Sequence, residues 1–339
     1  MTEAAPGLSV RGLSKIFGPA AAAQLEAVRQ GLSKAELQAR NGHVLALHDI
    51  DIDMPGAAVT VVMGLSGSGK STLLRLLNRL IEPTAGQVLA GTLDVTALGP
   101  HGLREFRRRH TAMVFQRFAL FPHHNVLRNV AYALELRGVP AAERDAAARR
   151  WIERVGLAGF ERSWPAELSG GMQQRVGLAR ALAAEAPILL LDEAFSALDP
   201  LIRADMQMLV LGLQRELKKT MVFITHDLDE ALRLGDHVVI LRDGQVLQQG
   251  SPAHIVLQPA DEHVQRFVAG VDRARVLRCA ALAVPGLPVQ GPRLDSQATL
   301  AEAARAMQSE GATAANVHAA DGAALGTLTL AAVLAQIVA

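Results

Sequence analysis

The sequence predicts an α/β fold with a mixed sheet, an α-helical subdomain set into it and a small α+β unit after it. Apolar runs of strand length, "AAVTVVMG", "PILLLDE" and "TMVFITH", alternate with helical patterns such as "PLIRADMQMLVLGLQRELKK", as parallel strands with crossover helices do. Residues 125–158 hold two helical patterns parted at Gly138 to Pro140 and carry no strand signal. Residues 298–339 read helix, strand, Asp-Gly turn, strand, helix.

In chain order, "LSVRGLSKIFG" is a short strand ending at Gly18, and residues 19–43 form an Ala- and Gln-rich helical insert in which Ser33 and Glu36 have capping-box spacing. "VLALHDIDIDM" alternates apolar and polar residues, the pattern of a half-buried antiparallel strand, before Pro55 and Gly56 turn the chain. The β-branched run "AAVTVVMG" stops at Gly64. After the loop "LSGSGK", the helix "STLLRLLNRLIEP" carries polar residues at Arg75, Asn78, Arg79 and Glu82, which predicts one wet stripe on a buried helix. Later, "DHVVILRDGQVLQQGSP" is a hairpin turning at Asp243 and Gly244, and a helix over "IVLQPADEHVQRFVAG" closes the first domain. The expected organisation is a domain over 1–270, with the insert at 19–43 and the helical subdomain at 116–165, a loop-rich linker over 271–293 and the α+β unit over 294–339.

Composition sets outer bounds. Half of the 339 residues are hydrophobic, enough for a sizeable core. Lys and Arg number 34 against 33 Asp and Glu, so charge gives no reason to expect nucleic acid or an anionic membrane as the main partner. The one cysteine, Cys279, cannot staple the chain internally and fits a reducing compartment. The N-terminus has no apolar core of signal-peptide length, and no run reaches the ~18–20 apolar residues of a membrane span, so any membrane role is expected through a partner.

Gly64, Gly69, Lys70 and Ser71 fit G-x-x-x-x-G-K-[ST]. In such a P-loop, backbone N–H groups over Gly64, Leu65, Ser66, Gly67, Ser68, Gly69, Lys70, Ser71 and Thr72 wrap the phosphates of ATP, the lysine meets their outer oxygens and the hydroxyl meets Mg²⁺. "ILLLDE" supplies Asp192 for the metal at the end of a buried strand and Glu193 as the base that polarises an attacking water. Two buried acids side by side are costly unless a cation or a proton offsets them, which argues against a purely structural role.

Further segments narrow the class. "LSGGMQQR" at 168–175, Gln116 in "VFQRFALFP", "SALDP" at 196–200 and His226 in "VFITHD" resemble, in order and spacing, the ATP-binding cassette (ABC) ATPases. Taken alone, Gln116 reads as a solvated loop residue and His226 as a structural histidine. The resemblance implies instead that Gln116 joins Ser71 and Asp192 around Mg²⁺, contacts the attacking water and senses a membrane partner, and that His226 touches the γ-phosphate. It places Asp199 where two subunits communicate. Phe17 then stacks on adenine, the alternative being an ordinary core phenylalanine. In this family two copies pack head to tail, and Ser169, Gly170, Gly171 and Gln173 of one cover the γ-phosphate lying on the P-loop of the other. ATP binding closes this homodimer and hydrolysis reopens it.

The insert "QGLSKAELQARNG", with "VMGLSGSGKSTLLRLLNRLIEPTAGQV" and "VFQRFALFPHHNVLRNVAYALELRGV", resembles the importers of quaternary amines, which take up glycine betaine, proline betaine or choline. The resemblance covers residues 8 to about 278. It implies integral-membrane permease subunits as partners, a separate substrate-binding protein acting indirectly, no nucleic acid, and a peripheral position on the cytoplasmic face of the inner membrane. It also implies that the permease docks on the helical region, where "FALFPHH" places Phe118, Leu120 and Phe121 in an exposed loop with His123 and His124 as solvated or capping residues. In the tail the resemblance is partial: family members often continue with two cystathionine-β-synthase (CBS) motifs, and here one partial copy is expected over 294–339, with Ala332 where a ribose-binding Asp is common, which argues against nucleotide sensing. The half-module either pairs with its twin across a dimer or has only a packing role, the latter being favoured. An importer for another small solute, or a soluble cassette acting on nucleic acid or ribosomes, are the competing readings; the latter is disfavoured by the lack of a sustained heptad run and of a second cassette.

Overall fold

The computed structural model describes residues 5–116, 119–196 and 198–338; Phe118 and Ala197 lie outside the described residues. The chain divides into two compact units, one formed by residues up to 227 together with 234–249, the other by 228–233 and 250 onward.

The first unit opens with β1 (Leu8–Phe17), the insert helices α1 (Leu25–Arg29) and α2 (Lys34–Asn41), and β2 (Val44–Met54). The expected capping box is present: Ser33 Oγ accepts the Glu36 N–H at 3.2 Å, and Glu36 Oε2 accepts the Ser33 N–H at 2.9 Å. β1 pairs antiparallel with β2 and also with β4 (Ala85–Ala90), which continues to β5 (Leu93–Asp94) in a four-stranded sheet ordered β2-β1-β4-β5.

The second sheet is built from β3 (Val59–Met63), β6 (Thr111–Val114), β7 (Ile188–Asp192), β8 (Thr220–Thr225), β9 (His237–Arg242) and β10 (Gln245–Gly250), in the order β10-β9-β3-β8-β7-β6. β9, β3, β8, β7 and β6 run parallel, and the residues of β3, β7 and β8 are all buried. α3 (Lys70–Leu77) shares one apolar cluster with both sheets: Leu73, Leu74, Leu76 and Leu77 meet Leu47 and Ile50 of the first, and Val62, Leu190 and Val222 of the second. Burying such leucines on both sides is what holds the two sheets against one helix.

The wet stripe expected on this helix is not observed. α3 ends at Leu77, and Asn78 is 4% exposed, with its carbonyl accepting from Arg107 Nε at 2.9 Å. Arg79 turns inward and donates to the Val95 carbonyl at 3.1 Å, leaving Arg75 and Glu82 as the exposed pair. A helical wheel assumed the helix continued; the left-handed backbone of Arg79 (φ 53) ends it.

α4 (Pro100–Arg109), unassigned from sequence although Pro100 opens it and Arg107, Arg108 and Arg109 close it, precedes β6. α5 (Val126–Leu136) and α6 (Ala141–Arg154) form the helical region and part at Gly138 to Pro140 as expected. α7 (Gly170–Ala183) leads to β7, and α8 (Pro200–Leu217) to β8.

In the second unit, α9 (Leu228–Leu234) clusters here except for its last residue, and the helix expected over residues 255–270 is split into α10 (Pro252–Leu257) and α11 (Glu262–Val268), because Pro259 and the Asp261 N-cap restart it. Where the sequence reads a linker over 271–293, the chain forms α12 (Arg273–Val276) and a 3₁₀ turn over Cys279–Ala281. Cys279 is fully buried, which pushes its thiol up to about 11. β11 (Arg293–Asp295), absent from the sequence expectation, pairs parallel with β12 (Ala314–His318), which pairs antiparallel with β13 (Ala324–Thr329). α13 (Leu300–Ser309) and α14 (Leu330–Val338) complete the unit, and the Ala332 N–H donates to Thr329 Oγ1 at 3.2 Å.

Candidate functional site

Parallel pairing sets the C-terminal ends of β3, β8, β7 and β6 along one edge of the sheet: Met63 lies opposite Thr225, Ile224 opposite Asp192, and Leu191 opposite Val114. Each strand delivers its next residues to that edge, the place where open parallel sheets bind ligands. β3 delivers the glycine loop, β7 the acidic pair, β8 His226 and β6 Gln116.

The loop is shaped by steric necessity. A Cβ on Gly64 (φ 154) would lie 2.1 Å from the Leu241 carbonyl oxygen, and one on Gly69 (φ 104) would lie 2.6 Å from that of Ala46, so the loop is seated directly on backbone. Leu65, Ser66 and Gly67 form its exposed crest, while Ser68 is buried and its hydroxyl has no hydrogen-bond partner among the described residues. Gly69 caps α3, whose first turn holds Lys70, Ser71 and Thr72. Lys70 is 5% exposed and donates from Nζ to the carbonyls of Gly64 and Leu65, at 2.8 and 3.0 Å. Burial draws its ammonium below the usual lysine range, and Glu193 and Asp192 pull it partly back up.

Ser71 Oγ donates to Asp192 Oδ1 at 2.8 Å, and Gln116 Nε2 donates to Glu193 Oε2 at 3.0 Å. His226 Nδ1 lies 3.9 Å from the same Glu193 oxygen. Residues from three separate segments thus converge on two neighbouring carboxylates carried by a fourth. Glu193 has a left-handed backbone (φ 44), a conformation that costs energy in a non-glycine residue and is retained where the surroundings enforce it. Its carbonyl accepts from Ser196 Oγ at 3.0 Å, and Phe195, 1% exposed, anchors the turn against Phe223 with ring centroids 5.4 Å apart. Arg75 was missed from sequence: its Nη2 lies 3.7 Å from Asp192 Oδ2, and the signal was its spacing of one helical turn from Ser71.

The donor set fits the groups expected of it. The cradle is one that a Cβ would fill, the Ser68 hydroxyl is orphaned beside it, and Ser71, Asp192 and Gln116 present the hard oxygens that suit a small divalent cation.

The second glycine segment starts α7. Ser169 is its N-cap, with Oγ accepting the Met172 N–H at 3.3 Å; Ser169 and Gly170 are exposed. Gln173 Nε2 donates to the Leu168 carbonyl at 3.1 Å. Gly171 is buried because a Cβ there would come within 3.0 Å of Ile202 Cγ2, so the starts of α7 and α8 pack together. Asp199 caps α8, accepting the N–H groups of Leu201 and Ile202 at 3.1 Å each. Phe17 is 38% exposed, which removes the core alternative for it, and Lys15 Nζ sits 4.8 Å from its ring centroid.

The helical region contributes to a groove of about 800 Å³ between α4, β6, α5 and α7, lined by Leu80, Met113, Phe121 and Leu136 and by Arg104 and Arg180. Phe121 and Leu120 are half-buried rather than exposed; Phe121 packs on Tyr132 with ring centroids 4.6 Å apart. His124, expected as a solvated or capping residue, is 8% exposed and packs on the same rings, whereas His123 is exposed.

A protein-family model described as ABC transporter matches residues 47–196. The glycine betaine/carnitine transport ATP-binding protein GbuA of Listeria monocytogenes is 51% identical over 269 residues, 79% of this chain and 68% of that protein. The glycine betaine/proline betaine transport system ATP-binding protein ProV of Escherichia coli is 49% identical over 276 residues, 81% of this chain and 69% of that one. The chain therefore spans about two thirds of the length of these relatives. Among solved structures, an ATP-binding cassette described as a dimer in a post-hydrolysis state bound to ADP and Pi aligns with a TM-score of 0.62 and 30% identity, over 72% of this chain and 98% of that one.

Proposed function

This chain belongs to the ABC transporter family as an ATP-binding, ATP-hydrolysing subunit, and from that premise we propose that it energises an importer of quaternary amines such as glycine betaine, proline betaine or choline. The carrying observation is the convergence of Gln116, His226 and Lys70 on the Asp192–Glu193 pair, joined to the names of relatives about half identical in sequence.

Each residue then has a defined task. The loop from Gly64 to Thr72 turns N–H groups toward the phosphates, and Lys70, whose ammonium is held at the loop by two carbonyls, exchanges those for phosphate oxygens. Ser71, Asp192 and Gln116 would hold Mg²⁺, which neutralises phosphate charge when bound. Glu193 accepts the proton of the attacking water. Gln116 orients that carboxylate through its 3.0 Å hydrogen bond, and His226 stands on its other side to donate to the transferred phosphoryl group. Phe17 offers its exposed ring to adenine. Two copies assemble head to tail, so that Ser169, Gly170, Gly171 and Gln173 of one meet the nucleotide on the other; the exposed N-terminus of α7 is suited to an anion. Asp199 sits at that boundary between copies.

No helix among the described residues is long and apolar enough to cross a membrane. The groove lined by Arg104 and Arg180 is the proposed seat for a cytoplasmic helix of the permease, which would hold the subunit at the inner face of the membrane; a substrate-binding protein then acts through that permease. Leu136, which lines the groove and is 55% exposed, tests this. Leu136→Asp is expected to abolish co-sedimentation with permease-containing membranes while the isolated subunit hydrolyses ATP within about twofold of wild type. Undiminished co-sedimentation would move the dock elsewhere, and recovery of the wild-type chain on ribosomes or nucleic acid would favour a non-transport cassette.

The solute class is tested by uptake of labelled choline and glycine betaine in cells lacking this chain. Loss of uptake of at least one, restored by the wild-type chain but not by Glu193→Gln, is the expected outcome; unchanged uptake of both would point to another small solute. The C-terminal unit, ordered β11-α13-β12-β13-α14, is read as one partial CBS-like copy, with a packing role as the proposed one.

A further inference from the structure

The insert between β1 and β2 reaches the phosphate loop from outside. It has an apolar anchor of its own: Val28 and Leu37 are buried against Ile16 and Leu45 of the two strands it joins. The capping box then fixes the first turn of α2, with Glu36 Oε2 accepting both the Ser33 N–H at 2.9 Å and its hydroxyl at 2.8 Å. Lys34 is the first residue after that cap, and its Nζ donates to the carbonyl of Gly67, at the crest of the loop, over 3.5 Å.

That contact has a physical purpose. A loop that points N–H groups at an anion must turn carbonyls away from it, and a protein donor on such a carbonyl holds the loop where water would leave it free. Ser68 O finds one in the Gly244 N–H at 3.2 Å, supplied by the β9–β10 turn. Gly67 O, one residue earlier and more exposed, finds Lys34. The loop is thereby tied from two sides, by a turn at its base and by the insert at its crest.

We propose that Lys34 is a positioning residue for nucleotide binding, and that the insert is a strap which holds the crest of the phosphate loop through the Gly67 carbonyl. The proposal rests on the reading of Gly64–Ser71 as the ATP phosphate site. The side chain is partly solvated and ordering it has an entropic cost, so the expected effect is moderate.

The test is equilibrium binding of ADP and ATP to the full chain, with wild type, Lys34→Met, Lys34→Arg and Lys70→Ala compared. Lys34→Met should weaken both nucleotides about three- to tenfold and raise KM for ATP in proportion with kcat unchanged, as loss of uniform binding does. Lys34→Arg, which also donates to a carbonyl, should bind within about twofold of wild type, and the nucleotide-free melting temperatures should agree within about 2 °C. Binding by Lys34→Met within about twofold of wild type, or an equal loss in Lys34→Arg, overturns the strap. Undiminished binding in Lys70→Ala would instead overturn the phosphate-site reading, and the strap with it.

Discussion

Glu193→Gln is expected to lower ATP hydrolysis about 10²- to 10⁴-fold, the usual contribution of a positioned general base, while leaving ATP binding intact. The amide has the size of the carboxylate, and its oxygen can still accept the Gln116 Nε2 hydrogen bond that now measures 3.0 Å. It cannot take a proton. Lys70 and the Ser71–Asp192 pair are untouched, so nucleotide should bind and remain unhydrolysed, and the variant should accumulate as a dimer in ATP that returns to monomer in ADP. Phosphate release measures the first effect and light scattering on the eluted protein the second. Turnover within about threefold of wild type would remove Glu193 from the role of base.

Ser169→Arg should reduce hydrolysis about a hundredfold or more, on the scale of losing one donor to transition-state charge, while ATP still binds at Lys70. Ser169 is exposed, and its only described task within one chain is to cap α7 through the Met172 N–H; losing that cap costs about 1 kcal/mol, too little to unfold the unit. A large effect on hydrolysis would therefore come from a second copy. Mixing decides it. In a head-to-tail dimer of Ser169→Arg with Lys70→Ala, one site carries both defects and the other carries neither. A mixture of two inactive variants should thus recover roughly a quarter of wild-type turnover, half of the dimers being mixed with one working site each. No recovery would show that the loop and the "LSGG" segment serve one nucleotide within a single chain.

Both predictions rest on segments that are legible in the sequence. Gly64, Lys70 and Ser71 announce themselves by spacing because a phosphate loop is contiguous, and Ser33 and Glu36 because a capping box is complete within four residues. The same locality misled at Asn78 and His124. Spacing places Asn78 on a wet stripe and His124 reads as a solvated or capping residue of an exposed loop, but the end of α3 and the packing of α5 bury both. α4 went unassigned although proline and arginine mark its ends, and with it arginines that line the groove.

The sequence by itself determined what depends on neighbours along the chain: the glycine loop, the buried strands, the helix caps and the acidic pair at the end of β7. Tertiary structure alone decided which of these meet. Gln116 and Glu193 stand 77 residues apart and come within 3.0 Å because the sheet is ordered β3-β8-β7-β6 with parallel strands, which gathers four strand ends on one edge. The contact of Lys34 with Gly67, the shared start of α7 and α8 at Gly171 and Ile202, and the groove above β6 are of the same kind. Hydrogen-bonding propensity and apolar periodicity act over a few residues and are written locally. Juxtaposition follows from how buried faces stack, and that is a property of the whole packed unit.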